Sequence, residues 1–488
     1  MAQKHFARRD FLKSAGIGAA SLVLGSALGG CAAARGVTAR GGRKKPNLLF
    51  ILADQWRAQA TGYAGNADVR TPNLDGLAKQ SINFSNAVSG CPVCCPYRAS
   101  LITGQYPLTH GVFLNDVRLG TKAVSIAQAY DGAGYDTGYI GKWHLDGDKR
   151  SAFIPRERRQ GFGFWKALGC THNYNNSFYY ADEDVRLKWE GYDAIAQTRE
   201  AQRYIREHAS GKPFALFLSW GPPHAPYHTA PAKYRRMFEA EKLTLRPNVP
   251  PHLAEKARET LAGYYAHIAA LDDCMGEILR TLSESDLEDD TILVFTSDHG
   301  DMLYSHGQQK KQRPWDESIL VPFLLRYPAV LGREGRTIDT PINTPDIMPT
   351  LLRLSGIGTP DTVEGTDFSA VVTGAERVSD NAALISCPSP FGQWKRENGA
   401  KEYRGVRTRR YTYVRDLNGP WLLYDNEQDP HQLSNLCNKP EHSGLQQKLE
   451  EALAEKLRET NDEFLSGWDY IRKWGYVVDK SGTVRYSV

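Results

Sequence analysis

The sequence predicts an α/β protein built on a large, mostly parallel sheet with helices on both faces. Short apolar runs without polar alternation indicate strands buried on both sides, at 47–53, 214–220, 291–297 and 322–327. Between these runs, apolar residues recur at helical spacing in the stretches 124–133, 195–209, 253–284 and 345–355. Strands separated by helices are typical of parallel sheets.

The pattern changes near residue 380. Residues 403–415 alternate and carry many aromatics, which indicates antiparallel strands, and 421–425 reads as another strand. Residues 444–461 have Leu and Ala at helical spacing between charges, so they indicate one amphipathic helix. We therefore expect a main domain at 46–379 and a smaller α+β subdomain at 380–488.

Composition and charge exclude several classes of protein. The chain has 488 residues, 24% charged and 41% hydrophobic, which excludes a disordered, collagen-like or polytopic membrane protein. Residues 1–45 hold nine Lys and Arg and one acid, a charge of +8, so the remainder of a chain with net charge +4 carries −4. A mildly acidic body argues against a nucleic-acid-binding protein.

The first 45 residues are interpreted as an export signal and a linker rather than as part of a folded domain. Arg8 and Arg9 precede a Gly/Ala-rich stretch at 14–30 that is too short and too glycine-rich to span a bilayer, and this pattern resembles a twin-arginine export signal. The letters LGGC at 28–31 resemble a bacterial lipobox, in which Cys31 is lipidated after cleavage. Cleavage nearer residues 32–34, without lipidation, remains the alternative. We expect a signal at 1–30, a linker at 31–45, and export by a bacterium to the periplasm or cell envelope with a lipid anchor.

A compact motif surrounds Cys94, which has Pro at +2 and Arg at +4. Cys91 and Cys95 lack these neighbours. Pro96 sits where a helix can begin, so Cys94 would face the positive end of a helix with Arg98 one turn further on. Such an environment suits an anion.

Other polar residues follow the predicted strands. Asp54, His224 and Asp298 come at or just after strand ends, and α/β sheets place their sites at the carboxyl ends of strands. Lys142 lies two residues before His144, and on an extended segment this spacing puts both side chains on one face. If the two aspartates share a cation, their carboxylates lie within about 8 Å of each other.

The run from Cys94 to Gly104 resembles the signature of type I sulfatases, which belong to the alkaline phosphatase superfamily. Further blocks resemble that family in its chain order, at 46–55, 138–144, 220–227, 297–301, 310–318, 423–430 and 435–436. The resemblance covers residues 46–460. It implies an alkaline-phosphatase-like fold, a catalytic domain at 46–379, and oxidation of Cys94 to formylglycine by a maturase that reads the motif.

The same resemblance implies the roles of the site residues. One divalent cation is expected, bound by Asp54, Gln55, Cys94, Asp298 and His299. Oxygen donors favour Ca²⁺, whereas the softer His299 leaves Mg²⁺ or Mn²⁺ open. Many relatives have an acid at the position of Gln55 and Asn at that of His299. The implied catalytic residues are Cys94, Arg98, Lys142, His144, His224 and Lys311, where the register favours Lys311 over Lys310.

The implied reaction is hydrolysis of a sulfate ester. Formylglycine adds water, one hydroxyl attacks sulfur, and the alcohol leaves with a proton from His224, assisted by Lys311. His144 then takes a proton from the second hydroxyl and sulfate is eliminated. A sulfated carbohydrate is the expected substrate, although no residue string identifies the sugar.

Two alternatives remain. One is a phosphodiesterase or phosphonate monoester hydrolase of the same superfamily, since some of these share the Cys94 motif. The other is a glycan-binding lipoprotein without catalytic activity. In such a protein, some of the catalytic residues would be replaced. The presence of all six catalytic residues argues against this second alternative.

Overall fold

Residues 45–375 and 382–487 are described by the structure, a computed structural model of the chain. The predicted export signal, Cys31 and the linker, apart from Lys45, lie outside the described residues. The predicted boundary at residue 380 also falls outside them and stays a prediction.

Sixteen strands are found in the described residues, and most are short. Their bounds are β1 Asn47–Asp54, β2 Ile82–Phe84, β3 Ala87–Val88, β4 Asp136–Lys142, β5 Phe164–Leu168, β6 Phe178–Tyr179, β7 Leu187–Lys188, β8 Phe214–Pro223, β9 Thr291–Ser297, β10 Phe323–Arg326, β11 Arg336–Ile338, β12 Ile342–Asn343, β13 Ala382–Cys387, β14 Tyr403–Thr408, β15 Tyr411–Asp416 and β16 Gly419–Asp425.

The same parts of the chain contain thirteen α-helices, several of a single turn. Their bounds are α1 Pro72–Ala78, α2 Cys94–Thr103, α3 Pro107–His110, α4 Ile126–Gly132, α5 Asp193–Glu207, α6 Ala232–Arg235, α7 Ala254–Glu284, α8 Asp316–Ile319, α9 Pro328–Leu331, α10 Thr344–Leu354, α11 Ser369–Thr373, α12 Ser443–Glu459 and α13 Gly467–Trp474.

The main sheet has eight strands in the order β11-β2-β10-β9-β1-β8-β4-β5. Five consecutive strands that end at one edge of the sheet, β9-β1-β8-β4-β5, are parallel to one another. The strand β10 runs antiparallel to both of its neighbours. The prediction of a large, mostly parallel sheet is therefore confirmed, and β10 is its antiparallel exception.

Alternate residues of β1 point into two separate cores. Leu48 and Phe50 belong to one apolar cluster, and Leu49 and Ile51 belong to another. The first cluster contains residues of α2, α4 and α10, and the second contains residues of α1, α5 and α7. Because helices cover both faces, the central strands are apolar without alternation, as the sequence predicted.

The strands β13 to β16 form a separate antiparallel sheet in sequential order. One face of this sheet packs against α12, where Leu449 and Leu453 meet Val406 and Leu423. The antiparallel strands and the amphipathic helix predicted for this part of the chain are thus confirmed. Among the described helices, none is long and apolar enough to cross a bilayer.

Candidate active site

Four neighbouring strands bring polar side chains to one edge of the main sheet. Asp54 is the last residue of β1, and Lys142 is the last residue of β4. Asp298 follows β9 and His224 follows β8, and the strands lie in the order β9-β1-β8-β4. All four residues are buried. The predicted convergence at the carboxyl ends of the strands is confirmed.

Cys94 is the first residue of α2, which is buried along its whole length. Val93 precedes it in an extended conformation, and the helix ends at Gly104 in a left-handed conformation with φ of 66°. A Cβ atom at Gly104 would lie 2.8 Å from Val363, so glycine is favoured there by both conformation and space. The Cys94 side chain therefore sits at the positive end of a fixed helix.

Cationic groups surround the Cys94 thiol. Its Sγ lies 3.1 Å from Lys311 Nζ, 3.7 Å from Lys142 Nζ and 3.3 Å from His299 Nε2. Burial and the Asp54 carboxylate oppose ionisation of the thiol. The two lysines and His299 outweigh them, so the pKa of Cys94 lies well below its ordinary value. The site thus stabilises negative charge at this position.

Arg98 donates hydrogen bonds to both strand-end acids, Asp54 and Asp298. Its Nη2 donates to Asp54 Oδ2 and Asp298 Oδ2, each at 3.1 Å, and its Nε donates to Asp298 Oδ2 at 3.2 Å. Its Nη1 donates to Ser219 Oγ and the Lys142 carbonyl. Arg98 is 1% exposed and is not among the residues that line the cavity, which fits compensation of the acids rather than direct contact with substrate.

The two acids respond differently to this shared environment. Burial opposes ionisation of Asp54, but Lys142, whose Nζ lies 2.6 Å from Asp54 Oδ2, and the other cations hold its pKa well below the ordinary value. Burial and the Asp54 charge raise the pKa of Asp298. Two adjacent buried carboxylates therefore require positive charge beyond that of Arg98 and Lys142.

The predicted metal ligands fit a divalent cation. Ligand atoms of Asp54, Cys94, Asp298 and His299 all lie within 4.8 Å of one another, well inside the predicted 8 Å for the acids. His299 Nδ1 donates to the Gly300 carbonyl, which leaves Nε2 facing the acids. These donors are two carboxylates, an imidazole and residue 94, a set that suits Ca²⁺, Mg²⁺ or Mn²⁺.

Gln55, the fifth predicted metal ligand, directly follows Asp54 at the end of β1. Its Nε2 donates to Asp301 Oδ2 at 2.7 Å and to the Tyr227 hydroxyl at 2.9 Å. These bonds turn Oε1 toward Lys311 Nζ, which lies 3.1 Å away. The amide oxygen, and not the nitrogen, is thus presented to the site, as a metal ligand requires.

The segment that carries Lys142 and His144 differs from its prediction. The extended conformation ends at Lys142, and His144 has a left-handed φ of 57°. Trp143 between them is buried in the core against Trp165 and Phe162. The chain turns because Trp143 is anchored in this core, and His144 Nε2 then reaches Asp116 Oδ1 at 3.1 Å. Both Lys142 and His144 still line the same cavity.

His224 lies in the loop after β8, and one of its ring nitrogens is hydrogen-bonded to the main chain. Its Nδ1 lies 2.8 Å from the Ala225 carbonyl, which only accepts, so Nδ1 carries the proton. Burial and Lys311 hold the pKa of His224 well below its ordinary value. The free protein therefore presents an unprotonated Nε2, and His224 must gain a proton before it can act as an acid. His172 stacks on its ring at 4.6 Å.

A cavity of about 290 Å³ opens onto these side chains. The residues that line it include predicted site residues and additional ones. The additional residues were not predicted from the sequence, because they lie in loops without a recognisable motif. The predicted members are Cys94, Lys142, His144, His224 and Lys311, and the additional members include Asn115, Asp116, Arg150, His172 and Tyr486. Lys311 reaches the cavity and Lys310 is absent from its lining, as the register predicted.

Comparison with known proteins identifies the family. The sulfatase family model matches residues 46–357, more than half of the chain. The chain belongs to the sulfatase family. A second family model, for the C-terminal region of N-sulphoglucosamine sulphohydrolase, matches residues 305–459. Membership in the sulfatases implies a formylglycine and a divalent cation.

Individual sulfatases resemble the chain over nearly its whole length. An ulvan-active sulfatase of Formosa agariphila is 46% identical over 443 residues, 90% of this chain and 86% of the relative. An endo-4-O-sulfatase of Bacteroides thetaiotaomicron is 30% identical over 89% of this chain and 95% of its own. The solved structure of the protein yidJ from Bacteroides fragilis is 32% identical, with a TM-score of 0.79, and covers 89% of this chain and 100% of that protein.

Proposed function

We propose that this protein hydrolyses sulfate esters of a sulfated carbohydrate through a formylglycine made from Cys94. The observation that carries the proposal is the position of Cys94. It lies at the start of α2 and lines the cavity, with Lys311 and Lys142 within 3.7 Å of its sulfur. A sulfate ester is an anion, so it must be bound by positive charge before it can be attacked.

Lys142 and Lys311 are the cations best placed to bind the sulfate group. Both ammonium groups adjoin residue 94 and both line the cavity. Arg98 lies outside the cavity lining, where its guanidinium pairs with Asp54 and Asp298 and favours their ionised forms. This arrangement holds the anion against residue 94 while the acids remain available as metal ligands.

Asp54, Gln55, Asp298 and His299 would hold one divalent cation, which we propose to be Ca²⁺, next to residue 94. Formylglycine supplies the nucleophile and the bound cation supplies positive charge beside it. The remaining chemistry is proton transfer by the protein. His144 is the base that accepts a proton from residue 94, and His224, once protonated with sulfate bound, donates to the departing oxygen together with Lys311.

Mass spectrometry and mutagenesis of Cys94 test the mechanism. The active protein should carry the aldehyde, about 18 Da lighter than the cysteine-containing peptide, from the change in side-chain composition. Cys94→Ala should abolish sulfate release with an unchanged thermal unfolding temperature. Cys91→Ala is the matched control and should retain most activity, because Cys91 lies outside the cavity lining. Full activity of Cys94→Ala would overturn the mechanism.

The second candidate function is hydrolysis of a phosphodiester or phosphonate monoester in the same site. The observation that favours keeping it is the anion-binding arrangement itself, which would accept either group. One preparation should be assayed with sulfate, phosphodiester and phosphonate esters of the same alcohol. A higher kcat/KM for the phosphorus esters would reverse the assignment.

The substrate class is proposed from the relatives. The ulvan-active sulfatase at 46% identity makes ulvan oligosaccharides the first substrates to test. The endo-4-O-sulfatase makes sulfated glycosaminoglycan fragments the second. Desulfation of defined oligosaccharides, read by mass spectrometry, would identify the sugar and the position. Turnover of simple aryl sulfates alone would contradict a carbohydrate substrate.

We also propose that the protein is exported already folded and modified, and is anchored in the envelope by lipid at Cys31. The twin-arginine pair and the lipobox support this proposal. Cys31→Ser should move the protein from the membrane fraction to the soluble fraction of the envelope. Unchanged membrane association would contradict the anchor.

A further inference from the structure

Within the described residues, one ring nitrogen of His144 is hydrogen-bonded to a carboxylate and the other has no hydrogen-bond partner. Nε2 lies 3.1 Å from Asp116 Oδ1, whereas Nδ1 is buried and makes no hydrogen bond to any described residue. Although burial opposes its ionisation, hydrogen bonds and charges from Arg150 and His144 hold the pKa of Asp116 at about 2. Because a carboxylate only accepts, Nε2 carries a proton. Nδ1 is then the nitrogen available for proton exchange, inside the cavity that Cys94 also lines.

Asp116 is itself fixed on its other side. Arg150 donates from Nε to Oδ1 and from Nη2 to Oδ2, each at 2.7 Å. This two-point contact sets both the position and the plane of the carboxylate. Asp116 also has a left-handed φ of 65°, a conformation that is uncommon for residues other than glycine. The loop is thus bent so that the carboxylate meets the imidazole.

A distant segment of the chain holds Arg150. The Arg150 guanidinium carbon lies 3.4 Å from the ring centre of Tyr486. The main chains are also joined, because Arg150 N donates to the Ser487 carbonyl and Ser487 N donates to the Asp148 carbonyl. This segment lies beyond residues 46–459, which the two family models match.

From this geometry we propose that Asp116 is the positioning residue of the catalytic base, held in place by Arg150 and Tyr486. Asp116 keeps a proton on Nε2 of His144, which leaves Nδ1 as the nitrogen that exchanges a proton with residue 94. Although burial opposes ionisation of His144, interactions with Cys95 and Cys170 and the hydrogen bond to Asp116 hold its pKa well above the ordinary value, so Nδ1 must release a proton before His144 can act as the base. Asp116 also stabilises the imidazolium that forms when Nδ1 takes the proton. The proposal rests on the proposed role of His144 as base.

The position of the proton can be tested without turnover, on protein with Cys94 left as the thiol. An imidazole N–H bonded to a buried carboxylate should give a resolved downfield proton resonance. We expect this resonance in the wild type and expect it to disappear in both His144→Gln and Asp116→Asn. A resonance that survives in Asp116→Asn, or is absent from the wild type, would overturn the proposal.

Kinetics of the modified enzyme provide the second readout. Asp116→Asn should lower kcat by about 10²–10⁴-fold, the range of general acid–base catalysis, with KM changed less than about threefold. Tyr486→Ala should lower kcat by about two- to fivefold, since it removes one cation–π contact, and Tyr486→Phe should restore it. Asp146→Asn is the matched control, because Asp146 is a nearby buried acid paired with Arg118 and Arg158, and it should change kcat less than about twofold.

The outcomes separate the two proposals. If Asp116→Asn raises KM and leaves kcat unchanged, Asp116 shapes the binding pocket and the positioning proposal is wrong. If the wild type contains the aldehyde but releases no sulfate from any ester, the proposed function fails. The resonance of the thiol protein would still decide the position of the proton.

Discussion

Arg98 is the residue whose removal tests the electrostatic design of the site most directly. Its guanidinium makes five hydrogen bonds, three of them to the carboxylates of Asp54 and Asp298. Arg98→Met keeps most of the aliphatic stem and removes the charge. Asp54 then retains Lys142 as its partner, whereas Asp298, which is itself fully buried, loses its nearest cation.

The expected cost follows from burial. Removing one partner of a buried ion pair costs about 3–5 kcal/mol, because an uncompensated charge is left behind. We expect Arg98→Met to lose this much free energy of unfolding. Arg98→Lys keeps the charge but loses the paired donors of the guanidinium. It should therefore lose about 1.5–3 kcal/mol of the free energy of unfolding, the contribution of one hydrogen bond to a charged group.

The measurement is urea unfolding followed by tryptophan fluorescence, with chelator present and Cys94 left as the thiol in every protein. These conditions matter because a bound cation could replace the lost charge, and because Arg98 belongs to the motif that a maturase is expected to read. Arg118→Met is the control, since Arg118 is 58% exposed and its pair with Asp146 should contribute at most about 1 kcal/mol. If Arg98→Met loses no more than Arg118→Met, the two acids do not depend on Arg98 and the reasoning is refuted.

Three further predictions concern neighbouring parts of the site and the core. Lys311→Met should lower kcat/KM for sulfate esters by about 10²–10³-fold, the cost of removing one charge-stabilising donor, while Lys310→Met should change it less than about threefold; equal losses would contradict the register. Excess Ca²⁺ at about 100 times its Kd should stabilise the wild type by about 2.7 kcal/mol in thermal unfolding, and Asp298→Asn should abolish most of this gain; an unchanged gain would place the ion elsewhere. Burial raises the pKa of Asp193 to about 7, so the unfolded chain releases this proton first and stability falls as pH rises from about 4 to about 7. Asp193→Asn should remove this loss, on the order of 4 kcal/mol, and a wild-type stability difference between pH 5 and pH 8 that persists in the variant would refute the assignment.

Residues at strand ends could be placed from the sequence because periodicity and chain direction determine where they meet. Buried parallel strands are continuous apolar runs, so β1, β8 and β9 were predicted, and Asp54 and Asp298 had to meet at their carboxyl ends. In contrast, β4 was not among the predicted strands, although the segment with Lys142 at its end was expected to be extended. It contains Gly138 and Gly141, and the second has a left-handed φ of 103° and lies so close to Ser219 that a Cβ would be 2.0 Å from its carbonyl oxygen.

Contacts between loops could not be predicted in the same way. Asp116, Arg150 and Tyr486 meet across more than 300 residues of sequence, and none lies in a periodic segment. The left-handed turn at His144 was also missed, because it follows from the packing of Trp143 and not from the local sequence. The family motif singled out His144, which lines the cavity, but only the tertiary structure shows what holds it.

The burial of α2 has a consequence for the order of events in the life of the protein. Cys94 and Arg98 are each 1% exposed, and every residue between them is buried as well. A maturase that reads this stretch must contact its backbone and side chains together, which the folded core does not permit. If such a maturase makes the proposed formylglycine, we expect oxidation of Cys94 to precede folding of the core. If the protein is also exported folded, as we propose, the modification would be restricted to the compartment of synthesis, and a molecule that folded before it was oxidised would remain inactive until it unfolded again.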